Sequence, residues 1–433
     1  MKIFTFPSAA AEKRLDAIIN RHLAFKAKDL QVVKRILADV RKNKDKALVG
    51  YINRFDAPKL TAASMKVTKA EINSAGRLVD KGFLRSLNKA ATQIEAFHRR
   101  QVEQSWFTAD TEGIMLGQLV RPVNAAGVYV PGGRGGETPL VSSVLMGCIP
   151  AKIAGVDRLC ITTPPTKTGQ VNPYLLVAAQ RVGVDAIFKA GSAWGIAALA
   201  YGTETVPRVD VIVGPGNIYV TLAKNLVSGT VGIDMMAGPS EVLVIADDKA
   251  NAAYIAADLL SQAEHDALAS AILLTPSYKL AQAVADAVMK QLKDLPRSAL
   301  AEASLKAYGA VMVVSDLDMA FDLANQVAPE HLEIHVEEPF QYLGCVKNAG
   351  AVFLGPHTPE PVGDYVAGPN HVLPTAGTAR FASALSVNHF MKKTSILYYT
   401  QKALERDAPD IIRLAEIEGL SAHARAVKIR KKR

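Results

Sequence analysis

Cysteine is scarce in this chain, with three residues in 433 (Cys148, Cys160 and Cys345), far apart and without CxxC spacing. That argues against both a disulfide framework and a thiolate metal site. No stretch approaches the roughly 18 consecutive apolar residues a membrane span needs, so no membrane association is expected. The opening MKIFTFPSAAAEKRLD turns polar too early to hold the apolar region of a signal peptide, and a cytoplasmic protein is expected. Aromatic residues are also few, at 6%, and none interleave with basic residues as in a nucleic-acid-binding face.

The net charge of +9 is unevenly spread. Residues 1–118 hold 22 Lys/Arg against 12 Asp/Glu, whereas residues 241–420 hold 13 against 23. The last 13 residues add six basic groups. The basic excess therefore lies away from the segments with distinctive chemistry. A solvated helical surface accounts for it, and no nucleic-acid partner is expected.

The length favours more than one domain. Residues 1–117 read as a helical amino-terminal region, with apolar residues three and four apart over 30–55 and 69–98. From residue 118 short β-branched runs alternate with Ala-rich segments. The runs 127–130, 158–163, 185–189 and 209–213 read as buried parallel strands. Thr138-Pro139 and Asn172-Pro173 each offer an N-cap followed by Pro at the first helical position, and Gly155 and Gly183 offer stops. A second series has strands at 241–246, 271–274, 310–314, 332–336 and 351–354, and helices near 251–266, 278–295 and 317–326. The pattern implies an α/β protein with two Rossmann-like, doubly wound domains, 118–239 and 240–378. The amino-terminal region is expected to pack on the second of them. A helical tail, 379–433, suits an arm that packs on another subunit.

Four segments carry candidate chemistry. In SQAEHD, Gln262 and His265 stand three apart near the end of a helix, able to reach one ion, or simply to meet the helix dipole. In APEHLEI, Glu330 and His331 precede a strand; they read as a pair of proton-transfer groups or as a polar turn. The run GPHTPEPVGDYVAGPNHVLPT, 355–375, is long and rich in Gly and Pro, as functional loops are, and contains Asp364 and His371. In EGLSAH, Glu418 and His423 sit in a polar tail. Two glycine-rich loops, VYVPGGRGGETP (128–139) and VGPGN (213–217), follow strands and lead into helices, where a phosphate or an ordinary tight turn would fit. Neither is GxGxxG.

Taken in order, RPVNAAGVYVPGG, SSVLMGCIPAKIAGV, IAALAYGTETVPRVDVIVGPGN, IDMMAGPSEVLVIAD, SQAEHD, APEHLEI, PEPVGDYVAGPNHVLPT and EGLSAH resemble the histidinol dehydrogenase family from about residue 30 to 430. The resemblance implies an aldehyde-dehydrogenase-like pair of Rossmann-like domains and NAD-dependent oxidation of L-histidinol through L-histidinal to L-histidine, the last steps of histidine biosynthesis. It implies one zinc ion per subunit, with manganese as a substitute, on Gln262, His265, Asp364 and His423. The last ligand comes from the partner's tail, so a homodimer with shared sites is implied. Ser240, His371 and Glu418 match substrate-contacting positions, as do Gln262, His265, His331, Asp364 and His423, with Glu418 facing the amino group. His331 is similar to the general base and Glu330 to the residue that activates water in the second oxidation. Tyr129 and Asn217 match NAD contacts, and Trp194 stands where the family has a glutamine that contacts NAD. A related reading is a paralogue acting on another small alcohol, such as a sulfonated diol; the acidic Glu418 favours an amine. A non-enzymatic nucleic-acid-binding protein would leave the Gln/His/Asp/His set unexplained.

Aldehyde oxidation often uses a cysteine nucleophile. All three cysteines here fall in or near apolar elements and read as structural. A chain with all three replaced by Ala or Ser is expected to keep its turnover, and a folded Cys148→Ala variant without turnover would contradict this.

Overall fold

The computed structural model describes residues 1–21, 27–133, 136–236 and 238–431. The first series of apolar runs forms the strands Ala125–Tyr129, Arg158–Thr163, Ala186–Lys189 and Val211–Val213. With Gly232–Ile233 these make a five-stranded sheet, every pairing parallel. Its order is Ala186–Lys189, Arg158–Thr163, Ala125–Tyr129, Val211–Val213, Gly232–Ile233. The second sheet has six strands, ordered Ile3–Thr5, Gly309–Val313, Ser270–Thr275, Glu241–Ala246, His331–His335, Ala351–Leu354, again all parallel. In each sheet the first strand of its α/β series lies inside, and the order reverses beside it. That is the doubly wound arrangement. Both faces are covered, which is why Glu241–Ala246 and Ser270–Thr275 are buried at every position and do not alternate.

Local signals explain most helix ends. Asn172 caps Pro173–Val182, accepting from Tyr174 N, and Gly183 ends it at φ 77°. Gly155 ends Val141–Ala154 in the same left-handed region, φ 86°. The start of that helix differs from expectation. Leu140 is its N-cap, without a side-chain bond, while the Thr138 amide donates to Gly132 O inside the preceding loop. Ser298–Tyr308 is a further helix that the apolar spacing did not single out.

Contacts divide the chain into two units, Met1–Gln101 with Asn124–Phe390, and Val102–Val123 with Met391–Arg433. Within the first unit the amino-terminal region splits, which corrects the expectation that all of it packs on the second α/β domain. Ile3–Thr5 and the helix Ala9–Ile19 join the second sheet, where Leu15 and Ile18 pack with Leu243, Ile272 and Met312. The long helix Ala27–Phe55 instead packs on the first sheet's side, where Val33, Leu37 and Ile52 share a core with Ala197 and Leu199.

The second unit corrects another expectation, that residues up to 117 and the tail are helical. Trp106–Ala109, Ile114–Pro122 and Met391–Tyr399 form an antiparallel sheet with Ile114–Pro122 in the middle. Only beyond it do helices follow, Gln401–Ile417 and Ser421–Lys428. The closing residues 432–433, expected to fray, lie outside the described residues. Among the described residues no helix is long and apolar enough to cross a membrane.

Trp194 belongs to the core between the first sheet and the long helix. Its indole stacks on Tyr51 and Phe55, with ring centroids 5.9 and 5.4 Å away, and its Nε1–H donates to Asp56 Oδ2 at 3.0 Å. Burial pushes the Asp56 carboxyl up to about 6, against the Trp194 and Gly191 bonds that lower it. A folded-state pKa above the unfolded value means the folded chain holds the proton more tightly. Stability from this group is therefore present below about pH 4 and lost as pH rises through about 6. Asp56→Asn is expected to gain about 2 kcal/mol on the wild type between about pH 4 and pH 7 in urea unfolding. A difference that stays constant over that range would exclude Asp56 as the titrating group.

Candidate active site

The site is built where two parallel strands begin side by side. Glu241 opens one strand and His331 opens its neighbour, with His331 in register with Val242. Glu241 uses its backbone and its side chain on the same partners. Its amide donates to Glu330 Oε2 at 2.9 Å, and the Glu330 amide donates back to Glu241 Oε2 at 3.1 Å. Its carbonyl accepts from His331 Nδ1 at 2.8 Å. The other carboxylate oxygen accepts from Arg21 Nη2 at 2.6 Å and from the Ala376 amide at 3.2 Å. The Arg21 and Glu241 side chains are 1% and 3% exposed, so this ion pair is fully desolvated.

These bonds fix the chemistry of His331. A carbonyl can only accept, so Nδ1 carries the proton. Burial lowers the His331 pKa, and His265 nearby lowers it further, outweighing the attraction of Asp364 and Glu333. The ring is therefore neutral, and its Nε2 is a bare lone pair with no hydrogen-bond partner. Glu330 is buried beside it, Oε2 3.7 Å from His331 Nδ1. Burial, and then the charge of Glu241, raise its pKa well above the usual carboxylate range.

The helix Ala252–Ala263 runs back along the sheet and brings its carboxyl end to this edge. Gln262 lies in its last turn, buried, and neither atom of its amide has a well-formed hydrogen bond. His265 follows one turn on and is exposed, its amide donating to Gln262 O. From the Gly/Pro-rich run comes a short helix, Glu360–Tyr365, that carries Asp364. His371 follows, with Nδ1 3.8 Å from Asp364 Oδ1 and a buried Nε2 that has no partner. Burial lowers the His371 pKa. Ser240 adjoins Glu241, its carbonyl accepting from Ser270 N.

Three residues essential to this geometry escaped the sequence reading. Glu360 is one: His331, Glu360 and Asp364 each place a ligand atom within 4.8 Å of the others. Burial and the neighbouring Asp364 push the Glu360 carboxyl up to about 9. Its signal was the four-residue spacing to Asp364 in PEPVGD. Glu241 and Arg21 are the others, and an acid opening an otherwise apolar strand was the available clue.

The structure thus brings Gln262, His265, Glu330, His331, Asp364 and His371 to one region of the first unit, with Ser240 adjoining it. Glu418 and His423 belong to the second unit, where Glu418 caps the helix Gln401–Ile417 and His423 lies on Ser421–Lys428, both exposed. The residues present suit a divalent metal. Imidazoles, a carboxylate and an amide oxygen are the donors zinc or manganese takes. The orphaned Gln262 amide, and the Glu360 carboxyl that burial and the charge of Asp364 push up, are what a cation would satisfy.

On the other sheet, Tyr129 ends its strand buried, its hydroxyl accepting from Ser192 N at 3.1 Å. Burial pushes its pKa up to about 12. Asn217 is exposed and spends its side-chain oxygen capping the helix Ile218–Val227. The loop between them is tight: Gly214 has φ 115°, and a Cβ there would lie 2.2 Å from Tyr129 O. Arg134 and Gly135 of the first glycine-rich loop lie outside the described residues. Trp194 turns away into the core, its single donor engaged by Asp56. Cys148 and Cys160 are buried with thiol pKa values raised by that burial, Cys160 to about 11, which suits structural residues and not nucleophiles.

The fold is a pair of doubly wound α/β domains, and the site in the second places a neutral imidazole, His331, beside the carboxylates of Glu360 and Asp364. The family model for histidinol dehydrogenase matches residues 20–431. The chain is 54% identical to the histidinol dehydrogenase of Desulfotalea psychrophila, over 98% of each chain. It is 55% identical to that of Oleidesulfovibrio alaskensis, over 92% of each. The crystal structure of histidinol dehydrogenase from Elizabethkingia anophelis superposes with a TM-score of 0.92 at 39% identity, covering 99% of this chain and 98% of that one. This chain belongs to the histidinol dehydrogenase family.

Removing one member of a desolvated pair leaves the other charge buried alone. Arg21→Ala is expected to cost about 3–5 kcal/mol of stability and to lower turnover, because Glu241 no longer holds Glu330 and His331 in place. Arg21→Lys should recover part of both in thermal unfolding and kinetic assays. An Arg21→Ala variant as stable as wild type would refute the assignment.

Proposed function

We propose that this oxidoreductase carries out the four-electron, NAD-dependent oxidation of L-histidinol through L-histidinal to L-histidine, with zinc held by Gln262, His265, Asp364 and His423 of the partner subunit. The observation that carries the reading is the bare Nε2 of a neutral His331 beside the Gln262–Glu360–Asp364 cradle. When bound, zinc would supply a fixed positive centre for the substrate's amino and imidazole nitrogens. Mn2+ fits the same donors.

The chain's own residues then divide the work. His331 Nε2 takes the hydroxyl proton as the carbinol C–H leaves with its electron pair for NAD, giving the aldehyde. Glu330 takes a proton from water as it adds to the aldehyde; once ionised, its raised pKa makes it a stronger base than an ordinary carboxylate. His331, having released the first proton to solvent, accepts the hydrate's proton at Nε2 during the second hydride transfer. His371 and Ser240 line the substrate's place, and Glu418 of the partner subunit faces its amino group. NAD sits on the side of Tyr129 and Asn217. The density of carboxylates disfavours a sulfonated substrate, since an anion there would meet like charge.

A homodimer supports this arrangement, because Glu418 and His423 lie on exposed surface of the second unit. There Leu397, Leu414 and Ile417 are also exposed, apolar area of the kind a partner covers. Location in the cytoplasm follows from the same reading.

The test is NADH formed per L-histidinol consumed, before and after chelation and zinc restoration. About two NADH per substrate, lost on chelation and recovered with zinc, is expected from the two hydride transfers. His331→Asn should lower turnover by about 10²–10⁴-fold. One NADH per substrate would remove the Glu330 role, and none from folded, zinc-loaded protein would remove the substrate assignment.

A further inference from the structure

A second cluster lies deeper along the same strand, outside the site above. His331, Glu333 and His335 alternate along His331–His335 and so face one side of the sheet. Asp258 stands on the helix Ala252–Ala263, four residues before Gln262. Asp258, Glu333 and His335 each bring a ligand atom within 4.8 Å of the others, and all three are buried. Glu333 is 0% and His335 3% exposed.

The local bonding leaves Glu333 and His335 without well-formed partners for their inward atoms. Glu333 Oε1 accepts from the Glu360 amide at 3.0 Å, which orients the carboxylate. Its Oε2 has no hydrogen-bond partner, and neither ring nitrogen of His335 has one. Yet His335 Nε2 lies 3.3 Å from Glu333 Oε2 and 3.7 Å from Asp258 Oδ2. Three donors about 2.0–2.1 Å from a tetrahedral centre are about 3.3–3.5 Å apart, close to these separations. All three ligand atoms thus lie within reach of one ion. Charge agrees: two carboxylates balance one divalent ion. Without an ion, burial and Glu333 push the Asp258 carboxyl up to about 7.

We propose that Asp258, Glu333 and His335 form a second, structural site for a divalent transition-metal ion, zinc by its nitrogen and oxygen donors. Bound there, the ion ties the strand that carries His331 to the helix that carries Gln262. The proposal does not depend on the substrate assignment.

Chelator-stripped full-length protein is reloaded with zinc, desalted, and its metal counted by plasma mass spectrometry. Wild type is expected to retain about one equivalent more than Asp258→Asn or His335→Leu, and Asp364→Asn should keep that equivalent. Circular dichroism confirms that each variant is folded. Folded Asp258→Asn holding as much zinc as wild type overturns the proposal. A second measurement leaves the cluster intact: in the His265→Ala/Asp364→Asn double variant, which lacks catalytic-site ligands, zinc should still raise the thermal midpoint. No rise there also overturns it. Retention of all zinc by Asp364→Asn would instead count against the catalytic site alone.

Discussion

The candidate site depends on one buried acidic residue, through its backbone as much as its carboxylate. Glu241 sits at the start of a strand, where its amide and carbonyl are free of the regular ladder and reach Glu330 and His331 directly. Burying its charge costs several kcal/mol unless it is paired. Arg21 supplies the pair from just beyond the first helix, and that requirement fixes where the amino-terminal segment crosses the second sheet. The same carboxylate accepts from Ala376, so the end of the Gly/Pro-rich run is tied down at the same point. Its side chain thereby links three stretches of chain, while its backbone carbonyl sets which nitrogen of His331 carries the proton.

Ligands of open α/β sheets usually lie beyond the carboxyl ends of the strands. Here the proposed acid–base groups, Glu330 and His331, lie at the amino ends of strands of the second sheet. The reason is geometric. A helix that follows a parallel strand runs back beside it, so its carboxyl end returns to the edge where the next strand begins. Gln262 and His265 therefore meet His331 although 66 residues separate His265 from it. The carboxyl end of a helix is also the negative end of its dipole. Added to Glu330, Glu360 and Asp364, it makes this edge a place for cations.

Both sheets were legible in the sequence because buried parallel strands are continuous apolar runs; Glu241–Ala246 and Ala351–Leu354 appear with the expected limits. Ile3–Thr5 was not legible, since three residues carry no periodicity, nor was Met391–Tyr399, whose exposed residues follow no apolar pattern. The site was legible where chemistry is concentrated in short motifs, as in SQAEHD and APEHLEI. Glu241 and Arg21 were not, because a pair separated by 220 positions is visible only once the sheet brings it together. Trp194 shows a different limit: its position in a motif said which glutamine it replaces, while its size decided that it packs between Tyr51 and Phe55.

The two-residue repeat of the strand His331–His335 has a consequence for how the site is held. The face that presents His331 must also present Glu333 and His335, so polar groups continue into the interior behind the base. An apolar pair there would pack at no electrostatic cost. Instead Glu333 holds the amide of Glu360, the residue that begins the short helix bearing Asp364. Position along one strand therefore couples the base to the cradle opposite it. Whatever engages Glu333 and His335 acts on both sides of the site at once, since the carboxylate that meets His335 through one oxygen steadies the Asp364 helix through the other.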